Sequence, residues 1–259
     1  MADRNEPRER VWKELRTVAK PDSRFHFDFS EYITDFIGSE EATARLVALN
    51  EYKQARVVFI TPDNCLESLR AQAVRDGKTL LMTTYGIRRG FVVLPPHTVQ
   101  PGLEEYAVLL DAIEKIGHYI SLSEIQQNYR IDLLVTGGSA VTRNGARFGK
   151  GHGFFDIEWA MLYSIGAVDS NTPIIDLVHD CQLVDMKLET TPFDTVCDYI
   201  VTPTQVIHVE NPQKPTRGIL WDKLEPGMMD KISPLRELKE MEVAGKIRPQ
   251  LQKVSYRRR

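Results

Sequence analysis

Apolar positions along the chain repeat with two periods, one helical and one alternating, and their succession predicts the elements. Val11, Leu15 and Val18 share a face of a helix over residues 6 to 19; Pro7 is tolerated in its first turn, and Pro21 ends it. Phe25-His-Phe-Asp-Phe29 alternates as a strand would, although the polar stretch after Ser30 suits irregular structure equally. Residues 40 to 50 predict a second helix. Val57-Val-Phe-Ile60 reads as a buried strand, Asn64 is placed to cap a helix reaching Arg75, and Asp76-Gly77 turns the chain into the strand Thr79-Leu-Leu-Met-Thr83. Strand, helix and strand at this spacing form a βαβ unit, which implies a mainly parallel sheet with right-handed crossovers.

The pattern continues with an apolar run from Gly90 to Leu94, closed by Pro95-Pro96, and a helix over 103 to 115. Further strands are expected at 131–136, 173–178 and 196–201. Residues 211 to 217, with Pro212 and Pro215, read as a loop. Met228 to Lys246 has helix-forming composition but few apolar anchors, so it is expected to dock only in part. The fold class is therefore α/β, a mainly parallel sheet layered by helices.

One stretch breaks the pattern. Asn144-Gly-Ala-Arg-Phe-Gly149-Lys-Gly151-His-Gly153-Phe-Phe-Asp156 packs four glycines into ten residues, interleaved with Arg147, Lys150 and His152. It lies between the 131–136 strand and a helix in which Phe155, Trp159, Leu162 and Tyr163 recur at helical spacing before Gly166. Glycines let backbone N–H groups turn toward a ligand, and the following helix start adds partial positive charge. Strand, glycine loop and helix suit a polyphosphate. Neither the P-loop Gly-Lys-Ser/Thr nor the dinucleotide Gly-x-Gly-x-x-Gly spacing is met. A plain solvated turn is the simpler alternative, but basic residues and an acid at both edges of the glycines favour phosphate.

Composition narrows the classes. With 259 residues the chain can bury one sizeable core. A net charge of −3 makes no case for nucleic acid, and the Tyr256-Arg-Arg-Arg259 tail is too short to change that. Three cysteines without paired spacing fit a reducing compartment, the polar start carries no signal-peptide pattern, and no apolar run approaches the roughly 20 residues of a membrane span. A cytoplasmic location with no membrane or nucleic-acid partner is the expectation. Oligomeric state is left open, with a monomer as the simplest case.

The glycine run, together with His179-Asp-Cys-Gln182-Leu-Val-Asp and Phe193-Asp194-Thr-Val-Cys-Asp198-Tyr-Ile-Val-Thr202-Pro-Thr204, resembles the 5-formyltetrahydrofolate cyclo-ligase family, the methenyltetrahydrofolate synthetases. Asp156-Ile-Glu-Trp-Ala-Met161 is similar to the family's divergent branch, the methenyltetrahydrofolate synthase domain-containing proteins. The resemblance covers most of residues 4 to 222 and is densest from 131 to 204. It implies a fold of the ribose-phosphate isomerase and CoA-transferase type over residues 1–222, with 223–259 as a helical extension and basic tail.

The resemblance also implies roles. Gly149, Gly151, His152 and Gly153 would cradle ATP phosphates, with Arg147 and Lys150 neutralising charge during catalysis and Arg4 and Arg8 assisting from the first helix. Asp156 and Asp194 would hold Mg²⁺; a dipole-satisfying helix acid is the alternative for Asp156, and Asp185 or Asp198 could serve in a shifted register. Phe154 and Phe155 stand where the family has paired tyrosines flanking the pterin, so stacking is kept and two hydroxyls are lost; a core position is the rival for Phe155. Phe193 stands where most members have a His. Asp63 is the acid nearest the place of the family's folate-pocket Glu, and Gln182 is expected as a polar contact to substrate. The implied reaction is the ATP- and Mg²⁺-dependent conversion of 5-formyltetrahydrofolate to 5,10-methenyltetrahydrofolate, with ADP and phosphate released. The alternative is a divergent paralogue that keeps the ATP cradle but acts on another small substrate, such as a thiamin-related one, or lacks turnover.

Overall fold

The computed structural model describes residues 5–185 and 190–247. The element order is α1 (Asn5–Leu15), α2 (Ser39–Val47), α3 (Asn50–Gln54), β1 (Val57–Ile60), α4 (Glu67–Arg75), β2 (Thr79–Thr83), β3 (Phe91–Leu94), α5 (Glu104–Ala107), α6 (Leu110–Ile116), β4 (His118–Ile120), α7 (Leu122–Asn128) and β5 (Leu133–Thr136). A short hairpin follows, β6 (Ala140–Val141) and β7 (Arg147–Phe148), then α8 (Phe154–Ser164), β8 (Ile174–Leu177), β9 (Tyr199–Val201), β10 (Val206–His208), α9 (Met228–Lys231) and α10 (Ser233–Val243).

Among the described residues the main sheet has eight strands in the order β10-β9-β8-β5-β1-β2-β3-β4. The five central strands, β9 to β2, are parallel, and antiparallel strands close both edges. Each parallel strand is a near-continuous apolar run because helices cover both faces. Alternate residues then serve alternate layers. Phe59, Leu81 and Leu134 join the layer of α7, α8 and α10, while Val58, Ile60, Leu80 and Val135 join that of α2, α4 and α6.

From β1 the chain moves to β2 on one side, and from β5 to β8 and β9 on the other. Connections therefore diverge between β1 and β5 and leave a crevice beyond the carboxyl ends of those strands, the place where open α/β sheets bind ligands.

Several local expectations change. Residues 25–29 form turns, with His26 and Phe27 at positive φ; Phe25 stacks on Tyr32 at 4.3 Å, so these rings pack with Leu15 of α1 instead of extending a sheet edge. The helix expected over 40–50 breaks at Leu49, and that over 103–115 at Leu109, both in extended conformation. The β6–β7 hairpin was not foreseen, since two-residue strands carry no periodicity. Gly166, at positive φ, ends α8 as expected: Gly166 N–H donates to Tyr163 and Ala167 N–H to Leu162, the paired bonds of a Schellman cap.

The expectation that Met228 to Lys246 docks only in part is corrected. Met228, Ile232, Leu235, Leu238 and Met241 belong to the same core cluster as Phe59 and Trp159, so few anchors suffice because their spacing puts them on one face. Both oxygens of Glu237 accept N–H bonds at the start of α7, from Leu122 and Ser123 at 2.9 Å. No helix among the described residues is long and apolar enough to cross a membrane. Replacing fully buried Leu235 with Ala should cost about 2–5 kcal/mol, whereas Val243→Ala, at a position 82% exposed, should stay within roughly 0.5 kcal/mol. Urea unfolding of the two variants checks this, and equal midpoints would refute a docked α10.

Candidate active site

A cavity of about 300 Å³ occupies the crevice at the β1/β5 divergence. Its floor is set by Asp63, just past β1. Asp63 Oδ2 accepts from Thr61 Oγ1 at 2.5 Å and from Gly137 N–H at 2.9 Å, which ties the end of β1 to the end of β5. Glycine is required at 137, because a Cβ there would fall 2.9 Å from Cys65 Sγ and Ile33 Cγ2.

The hairpin then delivers Arg147 inward. Its side chain is 5% exposed, donates to Gly137 O at 2.8 Å, and lies 4.7 Å over the Phe155 ring. Its Nε stands 3.7 Å from Asp176 Oδ2 on β8. Burial pushes Asp176 up to about 6, against the pull of Arg147. The hairpin itself is pinned where Cys197 N–H donates to Gly145 O at 3.1 Å.

Beyond β7 the glycine run opens. Gly151 has φ 118° and Gly153 φ 64°, both in the region that favours glycine, and a Cβ added at Gly149 or Gly151 would meet nothing within 4 Å. The backbone there faces open space. Arg8 of α1, buried, donates through Nε to Gly149 O at 2.9 Å and lies over Phe148. Lys150 Nζ donates to Glu31 O at 2.5 Å and stands 4.5 Å over the Tyr85 ring; desolvation lowers its pKa.

Gly153 caps the start of α8. Asp156, in the first turn, accepts at Oδ1 from Thr195 N–H at 2.8 Å and Thr195 Oγ1 at 2.7 Å, while its Oδ2 lies 3.8 Å from where a Gly153 Cβ would be. Burial raises its pKa, Arg147 opposes this, and Asp194 adds to it, so the two acids are electrostatic neighbours. Asp194 accepts from Thr191 N–H at 2.6 Å. No cluster of three or more His, Cys, Asp or Glu able to hold a metal exists among the described residues. The donor set nevertheless fits Mg²⁺ carried on a polyphosphate, which takes one or two carboxylates and completes its shell with phosphate oxygens and water. The open glycine backbone at a helix start fits the polyphosphate itself.

Arg8, Asp63, Arg147, Gly149, Lys150, Gly151, His152, Gly153, Phe154, Phe155, Asp156 and Asp194 all border the cavity. His152 is exposed, with its ring 5.3 Å from Phe154. Phe155 is 6% exposed and belongs mainly to the core, whereas Phe154 is only partly buried. Gln182 is a correction: it is absent from the lining because its amide is consumed locally, donating to Gly138 O at 2.6 Å and accepting from His179 N–H at 2.7 Å. Asp198 accepts from Ile174 N–H and pairs with Lys214, and exposed Asp185 lies near Arg143; neither borders the cavity. Arg4 lies outside the described residues.

Three further groups of residues line the cavity. Tyr85 follows β2, Glu158 sits on α8, and Ile219, Leu224 and Met228 form an apolar wall from the segment after β10. Glu158 left a signal, a carboxyl among apolar neighbours on a buried helix; the wall left none, because its residues read as loop and core.

Glu158 is 2% exposed, accepts from Thr83 Oγ1, and is pushed by burial from 4.5 up to about 8. Below about pH 4.5 it is protonated in folded and unfolded chains alike. Between about 4.5 and 8 the unfolded chain ionises while the folded one keeps its proton, so stability falls as pH rises, by at most on the order of 4–5 kcal/mol. Glu158→Gln should flatten that slope and be the more stable form at about pH 8. Unfolding midpoints across the range check this, and an unchanged slope would rule out a buried carboxyl.

Two kinds of similarity bear on this geometry. The human methenyltetrahydrofolate synthase domain-containing protein is 34% identical over 239 residues, covering 91% of this chain and 61% of the human protein. Its mouse counterpart is 33% identical over the same share of this chain and 63% of its own length. The chain thus spans about three fifths of the length of the curated relatives it matches. The NMR structure of Aquifex aeolicus 5,10-methenyltetrahydrofolate synthetase superposes with a TM-score of 0.51 at 17% identity, over 81% of this chain and 94% of that one, which shows a shared fold. The family model described as the 5-formyltetrahydrofolate cyclo-ligase family matches residues 1–203, and the chain belongs to that family.

Proposed function

We propose that the chain binds Mg·ATP on the glycine run and converts 5-formyltetrahydrofolate to 5,10-methenyltetrahydrofolate, with release of ADP and phosphate. One observation carries the reading: an open glycine cradle, two neighbouring carboxylates and a partly buried aromatic all border one cavity at the β1/β5 divergence. Family membership agrees with it.

In this reading Gly149 to Gly153 offer backbone N–H groups to the phosphates, and α8 adds its dipole. Lys150, held here by a main-chain carbonyl, the Tyr85 hydroxyl and the Tyr85 and Phe154 rings but by no carboxylate among the described residues, is the charge that would swing onto phosphate. Arg8 braces the loop through Gly149 O. Asp156 and Asp194 would hold Mg²⁺. ATP, when bound, supplies the phosphoryl group that lets the formyl oxygen depart. Phe154 orients the ring system by stacking, and the Leu224–Met228 side of the cavity limits access of water. Arg147 is committed to Gly137 O and sits beside Asp176, so its task is to hold the floor of the site in place while its charge acts from below.

A second reading keeps the cradle and changes the substrate, or dispenses with turnover. It is favoured by Phe193, 41% exposed at the cavity rim where most family members have a His. An absorbance assay for methenyltetrahydrofolate with ATP and Mg²⁺ separates the two, since product formation supports the first reading and its absence supports the second.

Gly151→Val should weaken ATP binding at least tenfold, because the added side chain projects into the open face and φ 118° disfavours it. Calorimetry on the folded variant decides, and wild-type affinity would defeat the cradle. Asp156→Asn should weaken Mg²⁺-dependent ATP binding far more than Asp180→Asn, since Asp180 is held by Thr202 and Thr204 away from the cavity. Equal behaviour in a magnesium titration would reduce Asp156 to a helix-start acid.

A further inference from the structure

Glu158 has no part in the chemistry described so far. It lies one helical turn after Phe154, on the same face of α8, and both border the cavity. Thr83 Oγ1 donates to its Oε1, and its second oxygen has no hydrogen-bond partner among the described residues. Glu158 thus brings an uncommitted carboxyl oxygen to the lining of the cavity. The charged groups that act on it are Asp63 from the end of β1, Arg147 from β7 and Asp156 from its own helix, with Lys150 reaching in from the glycine run. Asp63 is not an equivalent group, because its Oδ2 is committed to Thr61 and to Gly137 N–H.

We propose that Glu158 is a substrate-recognition group, accepting the paired N–H donors on the edge of an aminopyrimidine-type ring whose face lies against Phe154. The inference rests on the folate reading and deepens it: the edge in question is the 2-amino group and adjacent ring N–H of the pterin. Paired N–H donors favour the ionised form, so the ring binds as the carboxyl gives up its proton; a carboxylate has about four lone-pair sites, and the Thr83 bond leaves room for two parallel N–H···O bonds. The flat ring matches Phe154, and the apolar Ile219, Leu224 and Met228 line the same cavity. Those three residues lie beyond the family-matched segment 1–203.

The test titrates wild type and Glu158→Gln with 5-formyltetrahydrofolate and with the same molecule lacking its 2-amino group, with Mg·ATP titrated alongside. Gln keeps an acceptor for Thr83 and so preserves the fold. Glu158→Gln should weaken 5-formyltetrahydrofolate about tenfold to a hundredfold and leave Mg·ATP affinity within about twofold. Deleting the 2-amino group should weaken wild-type binding by a similar factor and scarcely affect Glu158→Gln, because the two changes remove one contact. Wild-type-like folate binding by Glu158→Gln, or equal sensitivity of both proteins to the missing amino group, overturns the role of Glu158 alone. A wild type that binds Mg·ATP but shows no saturable folate binding overturns the folate reading and the subsite with it.

Discussion

The bond from Gly137 N–H to the Asp63 carboxylate is the constraint on which the site depends. β1 and β5 are neighbours whose onward connections run in opposite directions, so nothing covers the gap between their carboxyl ends. Backbone groups at such an opening lose their ladder partners and require others. Asp63 provides one, and by doing so it fixes the separation of the two strand ends. Gly137 can then pass under Cys65 and Ile33, Arg147 can reach the Gly137 carbonyl, and the hairpin leading into the glycine run is placed accordingly.

The glycine run is short, yet its position is enforced from distant parts of the chain. Arg8 reaches Gly149 across 141 residues, Cys197 holds Gly145, and Thr195 holds Asp156. A loop held by main-chain and side-chain partners from three directions can present backbone donors without paying their ordering cost when a ligand arrives. The loop has glycine freedom where it faces the cavity and rigid supports behind.

Much of this was legible in the sequence. The strands at 57–60 and 79–83 and the helix after the glycine run fall where apolar periodicity puts them, since buried parallel strands and their covering helices are what that periodicity measures. The glycine run declared itself by composition, and Asp63, Asp156 and Asp194 border one cavity. What periodicity could not show was anything fixed by distant pairing: the two-residue strands β6 and β7, the aromatic turn at 25–29, and the diversion of Gln182 to Gly138. The apolar wall at 219–228 was invisible for another reason. Ile, Leu and Met facing a cavity have the same composition as Ile, Leu and Met facing a core, and here they do both within one segment.

The docking of α10 has a consequence for how the molecule is made. Trp159 and Leu162, in the middle of α8, share their core cluster with Leu235, Leu238 and Met241, which are synthesised some seventy residues later at the roughly 5–20 residues per second of translation. During that interval the glycine run and Asp156 already exist, but the part of α8 that α10 covers is exposed and one side of the cavity is missing. The nascent chain therefore exposes apolar surface on α8 until residues 228–243 emerge.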